Sequence, residues 1–197
     1  MTTLFLTRHA AHMHIDSVLV GRAGAQLNQE GRHQARRIAD RLACSGISAM
    51  QSSPQLRARE TAVIIAGRTG IPVEIAAALD ELDVGAWTGL SFSALRNDPL
   101  WQLWNRNRGS VRPPRGESMP GLQARIVRHL TEIAAADPGG RIAVVSHAEP
   151  IRAAVLYVLN LPLEEFWRID IAPASVTTLL IEGDRAELLA LNEAVAA

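Results

Sequence analysis

Two hydrophobic rhythms alternate along the chain. Short apolar runs in "TLFLT" (3–7), "ISAMQS" (47–52), "IPVEIA" (71–76) and "RIAVVSH" (141–147) read as buried strands. Between them lie segments of helical period. In "EGRHQARRIADRLACSG" (30–46), Ala35, Ile38, Ala39 and Leu42 share one face ahead of a glycine stop. In "SPQLRARETAVIIAGRTG" (53–70), Ser53 is expected to cap a helix with Pro54 at its first position and Gly70 at its end. A third helix, "MPGLQARIVRHLTEIAAAD" (119–137), aligns Leu122, Ile126, Val127, Leu130 and Ile133, with Ser118 as its cap. "EPIRAAVLYVLN" (149–160) predicts the helix after the clearest strand, and "FWRIDIA", "SVTTLLIEG" and "AELLALNE" predict closing strands.

Residues 80–118 break this rhythm. They hold Trp87, Trp101, Trp104 and the run "RPPRG", which predicts short helices and a long loop over the sheet edge. Exposed tryptophans among these three would serve a homodimer interface or a substrate lid, and the oligomeric state stays open. With no internal repeat or low-complexity linker, one α/β domain over residues 1–197 fits the alternation.

Composition removes several function classes. The 20 basic and 20 acidic residues balance, which argues against a nucleic-acid-binding surface. Every basic residue is arginine, so lysine-dependent Schiff-base, pyridoxal phosphate and P-loop chemistry is excluded. No apolar run approaches the roughly 20 residues that span a bilayer, so no membrane partner is expected. The single cysteine, Cys44, reads as a core residue near a helix end. The N-terminus lacks a basic segment followed by an apolar signal core, so a cytoplasmic location is expected.

Candidate chemistry gathers at two strand ends. "LFLTRH" and "AVVSH" finish on His9 and His147, which in a mostly parallel sheet emerge at the same carboxyl edge, where open α/β sheets place ligands. Arg57 falls in the first turn of a predicted helix, where free N–H groups and the helix dipole favour an anion. With Arg8, these residues make a plausible cradle for a dianion.

The order of motifs resembles the histidine phosphatase superfamily, in the branch of phosphoglycerate mutases and small bacterial phosphatases. "TRHA", "LNQEGRHQA", "SSPQLRARETA", "ELDVGAWTG", "RGES" and "SHAEPIR" follow the family's sequence of motifs over nearly the whole chain. The resemblance implies a three-layer α/β/α sandwich with a mostly parallel sheet, and residues 80–118 as a cap-like insertion over the active site. It implies that His9 is the phosphorylated nucleophile, that Arg8, Arg57 and His147 hold the phosphoryl group, and that Glu81 is the proton donor and later the base. Ala148 and Arg22 are further candidates for substrate contact, with a solvent-facing Arg22 an equal alternative. No cofactor or metal is implied. The expected partner is a small phosphorylated metabolite.

Several positions depart from the family pattern. Alanine replaces glycine at Ala10 and Ala148, and Ile15 stands where mutases carry a phosphate-binding asparagine. The middle segment is also short for a mutase, so phosphomonoester hydrolysis is favoured over a mutase-like phosphotransferase. Two other classes remain as alternatives. One is a catalytically dead phosphate-binding or interaction domain. The other is a metal-dependent hydrolase using His12, His14 and Asp16 of "HMHIDS", a pattern that fails at Ser17. "GESMP" approaches a nucleophile elbow but lacks its second glycine, and His33 and His129 fall within predicted helices.

Overall fold

The fold is seen in a computed structural model that describes residues 1–194. Six strands, β1 (Thr2–Arg8), β2 (Ala49–Ser52), β3 (Val73–Ile75), β4 (Arg141–Ser146), β5 (Val176–Glu182) and β6 (Arg185–Glu193), form one sheet in the order β3-β2-β4-β1-β5-β6. The pairs β3–β2, β2–β4 and β4–β1 are parallel, while β5 is antiparallel to both its neighbours. The sheet is therefore mixed, with a parallel centre.

Strands β1 and β4 are apolar on both faces because both faces are covered. Leu4, Leu6, Ile142 and Val144 enter one core, beneath α5 (Met119–Ala136) and α6 (Ala148–Val158). Phe5, Ala143 and Val145 enter the other, beneath α1 (Gln29–Ala43) and α2 (Leu56–Thr69). Three layers result. The Asn28 side chain caps α1 by accepting from the Gly31 amide at 2.7 Å. A Cβ at Gly31 would stand 1.9 Å from the Ala11 carbonyl oxygen, so only glycine lets α1 approach the loop after β1 this closely.

Residues 80–118 form short helices, as expected: α3 (Phe92–Leu95) and α4 (Pro99–Arg106), the latter capped by Asp98 with Pro99 at its start. The three tryptophans are not an exposed set. Trp87 and Trp104 are each 2% exposed, and the Trp87, Trp101 and Trp104 rings meet pairwise at 5.1–5.6 Å. Trp87 and Trp104 join the core of Leu4, Leu6, Ile142 and Val144, with Trp101 packed against it, each aromatic contact contributing about 0.5–1.5 kcal/mol beyond burial. The exposed tryptophan is Trp167, at 71%.

Three further expectations are corrected. "FWRIDIA" is not a strand: Leu163–Arg168 is a 3-10 helix, and the carbonyls of Ile169 and Ile171 bond to Arg152 and Arg8 instead of a neighbouring strand. Helix α2 begins at Leu56, after a Gln55 cap with no side-chain bond, and Ser53 lies two residues before that cap, where its Oγ accepts from the Gln55 amide and meets His147. Cys44 is exposed, since it follows the buried stripe Ala35–Ile38–Ala39–Leu42 on the opposite side of α1. Among the described residues, no helix is long and apolar enough to cross a membrane.

Candidate active site

The site is set by the parallel register of the two central strands. Arg8 pairs with Ser146, and the His9 amide donates to the Ser146 carbonyl at 2.9 Å, so His9 and His147 leave the sheet side by side. Their ring centroids are 5.1 Å apart.

His9 is 2% exposed, and its Nδ1 lies 2.9 Å from its neighbour's carbonyl, that of Ala10. A carbonyl only accepts, so Nδ1 carries the hydrogen and Nε2 holds a lone pair. Arg57 Nε donates to that lone pair at 3.1 Å. Burial, then the charges of Arg57 and Arg8, hold the His9 pKa well below the ordinary value, so the ring is neutral near pH 7.

Arg57 is anchored by Nη2 to the Gly21 carbonyl at 2.7 Å and by Nη1 to the Ala23 carbonyl at 3.2 Å. Thr61, one turn later on α2, donates to the Arg57 carbonyl and accepts from the Ala10 amide, tying helix to histidine loop. Arg8 Nη1 donates to the Ile171 carbonyl at 2.6 Å, while its buried Nε has no partner among the described residues.

His147 is fully buried and neutral, its pKa held well below the ordinary value by burial, then by Arg57 and His9. Its Nε2 is 2.7 Å from Ser53 Oγ, which also accepts from the Gln55 amide. The Ser53 hydroxyl hydrogen is then free to go to Nε2, leaving the proton on Nδ1. That Nδ1 is buried without a hydrogen-bond partner among the described residues and lies 3.9 Å from Glu81 Oε2. Among the described residues, two buried donors beside the His9 ring, Arg8 Nε and His147 Nδ1, have no hydrogen-bond partner, and such atoms are costly unless a ligand completes them.

Glu81 reaches the same space from the turn after Ala77–Leu79. Burial raises its pKa to about 7, with Glu149 adding to the rise and Arg57 opposing it. Its loop is pinned from behind. Asp80 Oδ1 accepts from the Glu81 amide at 2.8 Å, and Arg125 donates to the carbonyls of Ala78 and Asp80. Arg22 belongs to this support: its Nε donates to the Glu81 carbonyl at 2.8 Å and its Nη2 to Glu117 at 3.0 Å.

Ala148 opens α6 directly after His147, where first-turn amides have no intrahelical acceptor. Neither Ala10 nor Ala148 has a positive φ, so alanine in place of glycine costs no backbone strain at either loop. His12 is neutral, its pKa lowered to about 4 by burial and then Arg57 and Arg8, and its Nδ1 accepts from the His14 amide. His14 and Asp16 are exposed, and among the described residues no group of three histidine, cysteine or acidic side chains is placed to hold a metal ion. Ser118 caps α5, and His33 and His129 lie in α1 and α5.

Two features escaped sequence reasoning. Ser53 is the partner of His147, and the only signal was a second serine at a strand end. Glu149, in the first turn of α6, binds both Arg108 and Arg152 at 2.8 and 2.7 Å. Burial alone would raise its pKa, but the two arginines lower it to about 2. The Arg108 guanidinium lies between the Trp104 and Phe166 rings, 3.8 and 3.6 Å from their centroids, which carries the aromatic segment onto α6.

Arg8, His9, Arg57 and Glu81 line a cavity of about 130 Å³ together with Phe92 and residues of the 12–21 loop.

Known proteins resemble the chain in sequence and in fold. It is 34% identical to a bifunctional protein of Mycobacterium tuberculosis over 92% of its own length, but spans only 51% of that relative. It is 27% identical to phosphoserine phosphatase 1 of Hydrogenobacter thermophilus, covering 98% of this chain and 92% of that one. The solved structure of a mycobacterial glucosyl-3-phosphoglycerate phosphatase superposes with a TM-score of 0.87 at 27% identity, covering 96% of this chain and 98% of the other. The family model for branch 1 of the histidine phosphatase superfamily matches residues 4–194. By that match and by its fold, the chain belongs to the histidine phosphatase superfamily.

Proposed function

We propose that the protein hydrolyses small phosphomonoesters through a phosphohistidine on His9, without a metal ion. The observation that carries this reading is the His9 ring itself. It is neutral, its Nδ1 is tied to the Ala10 carbonyl, its Nε2 lone pair faces Arg57, and the ring of His147, whose Nδ1 has no partner among the described residues, lies 5.1 Å away. The phosphatase names of the relatives support the same chemistry.

In the first step the Nε2–P bond forms as the bond from phosphorus to the leaving oxygen breaks. The Glu81 proton passes to that oxygen and the alcohol departs. Arg57, Arg8 and His147 Nδ1 donate to the phosphoryl oxygens, whose charge must be stabilised more than any bond must be manipulated. In the second step water attacks phosphorus, the P–N bond breaks, and the water proton returns to Glu81, releasing orthophosphate and restoring the neutral histidine. A carboxyl with a pKa of about 7 suits both roles near neutrality. Arg22 and Asp80 act as positioning residues for it. Residues 80–118 serve as a cap, since they supply both Glu81 and Phe92 to the cavity.

The test is to quench turnover under neutral or alkaline conditions and locate the phosphate. An acid-labile phosphoramidate on His9, absent in His9→Ala, is expected. Label on a serine or an aspartate would reject the mechanism.

A further inference from the structure

We infer that this site selects a leaving group that is neutral or cationic and rich in carbon, with Asp16 and Phe92 setting the choice. The inference rests on the phosphatase reading and concerns what lies beyond the phosphoryl group. Among the residues lining the cavity the only cations are Arg8 and Arg57, and both are assigned to the phosphoryl oxygens. The remaining wall is Ile15, Val18, Leu19, Val20 and Phe92, with His12 and Asp16 as its polar members.

Among the described residues that line the cavity, a carboxylate on the leaving group would therefore meet no further cation. Arg22 is turned to Glu117 and the Glu81 carbonyl, and Arg108 and Arg152 are both bound to Glu149. It would instead meet Asp16, which is near enough to act electrostatically on both Arg8 and His12. Like charges brought together at a binding surface select against the partner that carries them.

The wall is held in shape. The Leu19 amide donates to the Leu90 carbonyl at 2.9 Å, the Gly89 amide to the Leu19 carbonyl at 2.9 Å, and the Phe92 amide to the Ser17 carbonyl at 3.1 Å. The loop that carries Asp16 is thus stitched to the segment that carries Phe92. A surface ordered before substrate arrives discriminates better than one that must be ordered by it. The cavity of about 130 Å³ opens to solvent, so this wall meets the leaving-group atoms nearest the phosphoryl group.

The test compares glycerol 3-phosphate with 3-phosphoglycerate, which differ only by a hydroxymethyl group in place of a carboxylate. The expected kcat/KM favours glycerol 3-phosphate by about tenfold or more, and Asp16→Asn should reduce that ratio at least about threefold. Asparagine is a suitable probe because Asp16 has a φ of 64°, a conformation asparagine accepts. Phe92→Ala should reduce the preference for butyl over methyl phosphate by about tenfold. Equal or better turnover of 3-phosphoglycerate by the wild-type protein would overturn the inference while leaving the phosphatase reading intact. Failure to turn over any phosphomonoester would reject the phosphatase reading instead. Calorimetric binding of the same two compounds to the wild-type protein would then still decide selectivity, equal affinity counting against it.

Discussion

Ser53 Oγ lies 2.7 Å from His147 Nε2, and this contact turns the other ring nitrogen, Nδ1, toward Glu81 Oε2 at 3.9 Å. The serine thereby selects which nitrogen of a neutral imidazole carries its proton, and so whether His147 can donate to a phosphoryl oxygen. Ser53→Ala should keep the fold and lower kcat/KM by about 10–10²-fold, the equivalent of a buried hydrogen bond removed with its partner left unpaired. Ser53→Thr, which restores the hydroxyl, should recover most of the rate. Steady-state kinetics on the three proteins checks this, and an undiminished Ser53→Ala would show that the tautomer is set by something else.

Arg57→Ala removes the donor to His9 Nε2 and, on the proposed mechanism, a charge facing the phosphoryl group. A loss of roughly 10²-fold or more in the phosphorylation rate is expected, read by rapid quench. Because Arg57 also bonds the Gly21 and Ala23 carbonyls, circular dichroism must confirm that the variant is folded.

Glu81→Gln should slow phosphorylation by about 10²–10⁴-fold with an alkyl phosphate and far less with a nitrophenyl phosphate, whose leaving group is stable as an anion. Its neighbours are already committed. Asp80 accepts from the Glu81 amide and from Gln55, and Asp83 accepts from the Gly85 amide at 2.8 Å. Asp83→Asn should therefore show no such dependence on the leaving group. Burst kinetics separate this step from phosphoenzyme breakdown.

Stability should carry the same signature. Burial raises the pKa of Glu81 from its ordinary value of 4.5 to about 7, so the folded protein holds this proton more tightly than the unfolded chain. The favourable contribution is complete below about pH 4.5 and is lost as pH rises toward 7. The loss is of order 3 kcal/mol. Glu81→Gln, which stays neutral, should raise Tm relative to wild type at pH 8 and not at pH 4.5. His9 and His147 work in the opposite sense, their lowered pKa values removing stability as pH falls below their unfolded range. Thermal melts of the single variants across pH separate the two effects.

Metal independence has a direct check. Activity after exhaustive chelation should stay within about twofold of the untreated enzyme, since the proposed nucleophile is an uncharged nitrogen that needs no ion to generate it. Loss of activity that zinc restores would return attention to His12 and His14.

The sequence alone determined the strand and helix alternation and the common edge of Arg8, His9, Arg57 and His147, while Glu81 was expected only from the resemblance of "ELDVGAWTG" to a family motif. Buried parallel strands and amphipathic helices are written in short-range periodicity, and residues at strand ends share an edge whenever the strands run parallel. Tertiary structure decided what depends on partners distant along the chain. "FWRIDIA" has a strand's alternation, with Ile169 and Ile171 buried, yet its carbonyls serve Arg152 and Arg8. Ser53 has a helix cap's position, but His147, 94 residues away, takes its hydroxyl. Arg22 could be read as facing substrate or solvent until the acidic loop around Glu81 was seen to hold it. A side chain's partner is fixed by which donors and acceptors lie within about 3 Å in space, and separation along the chain does not encode that distance.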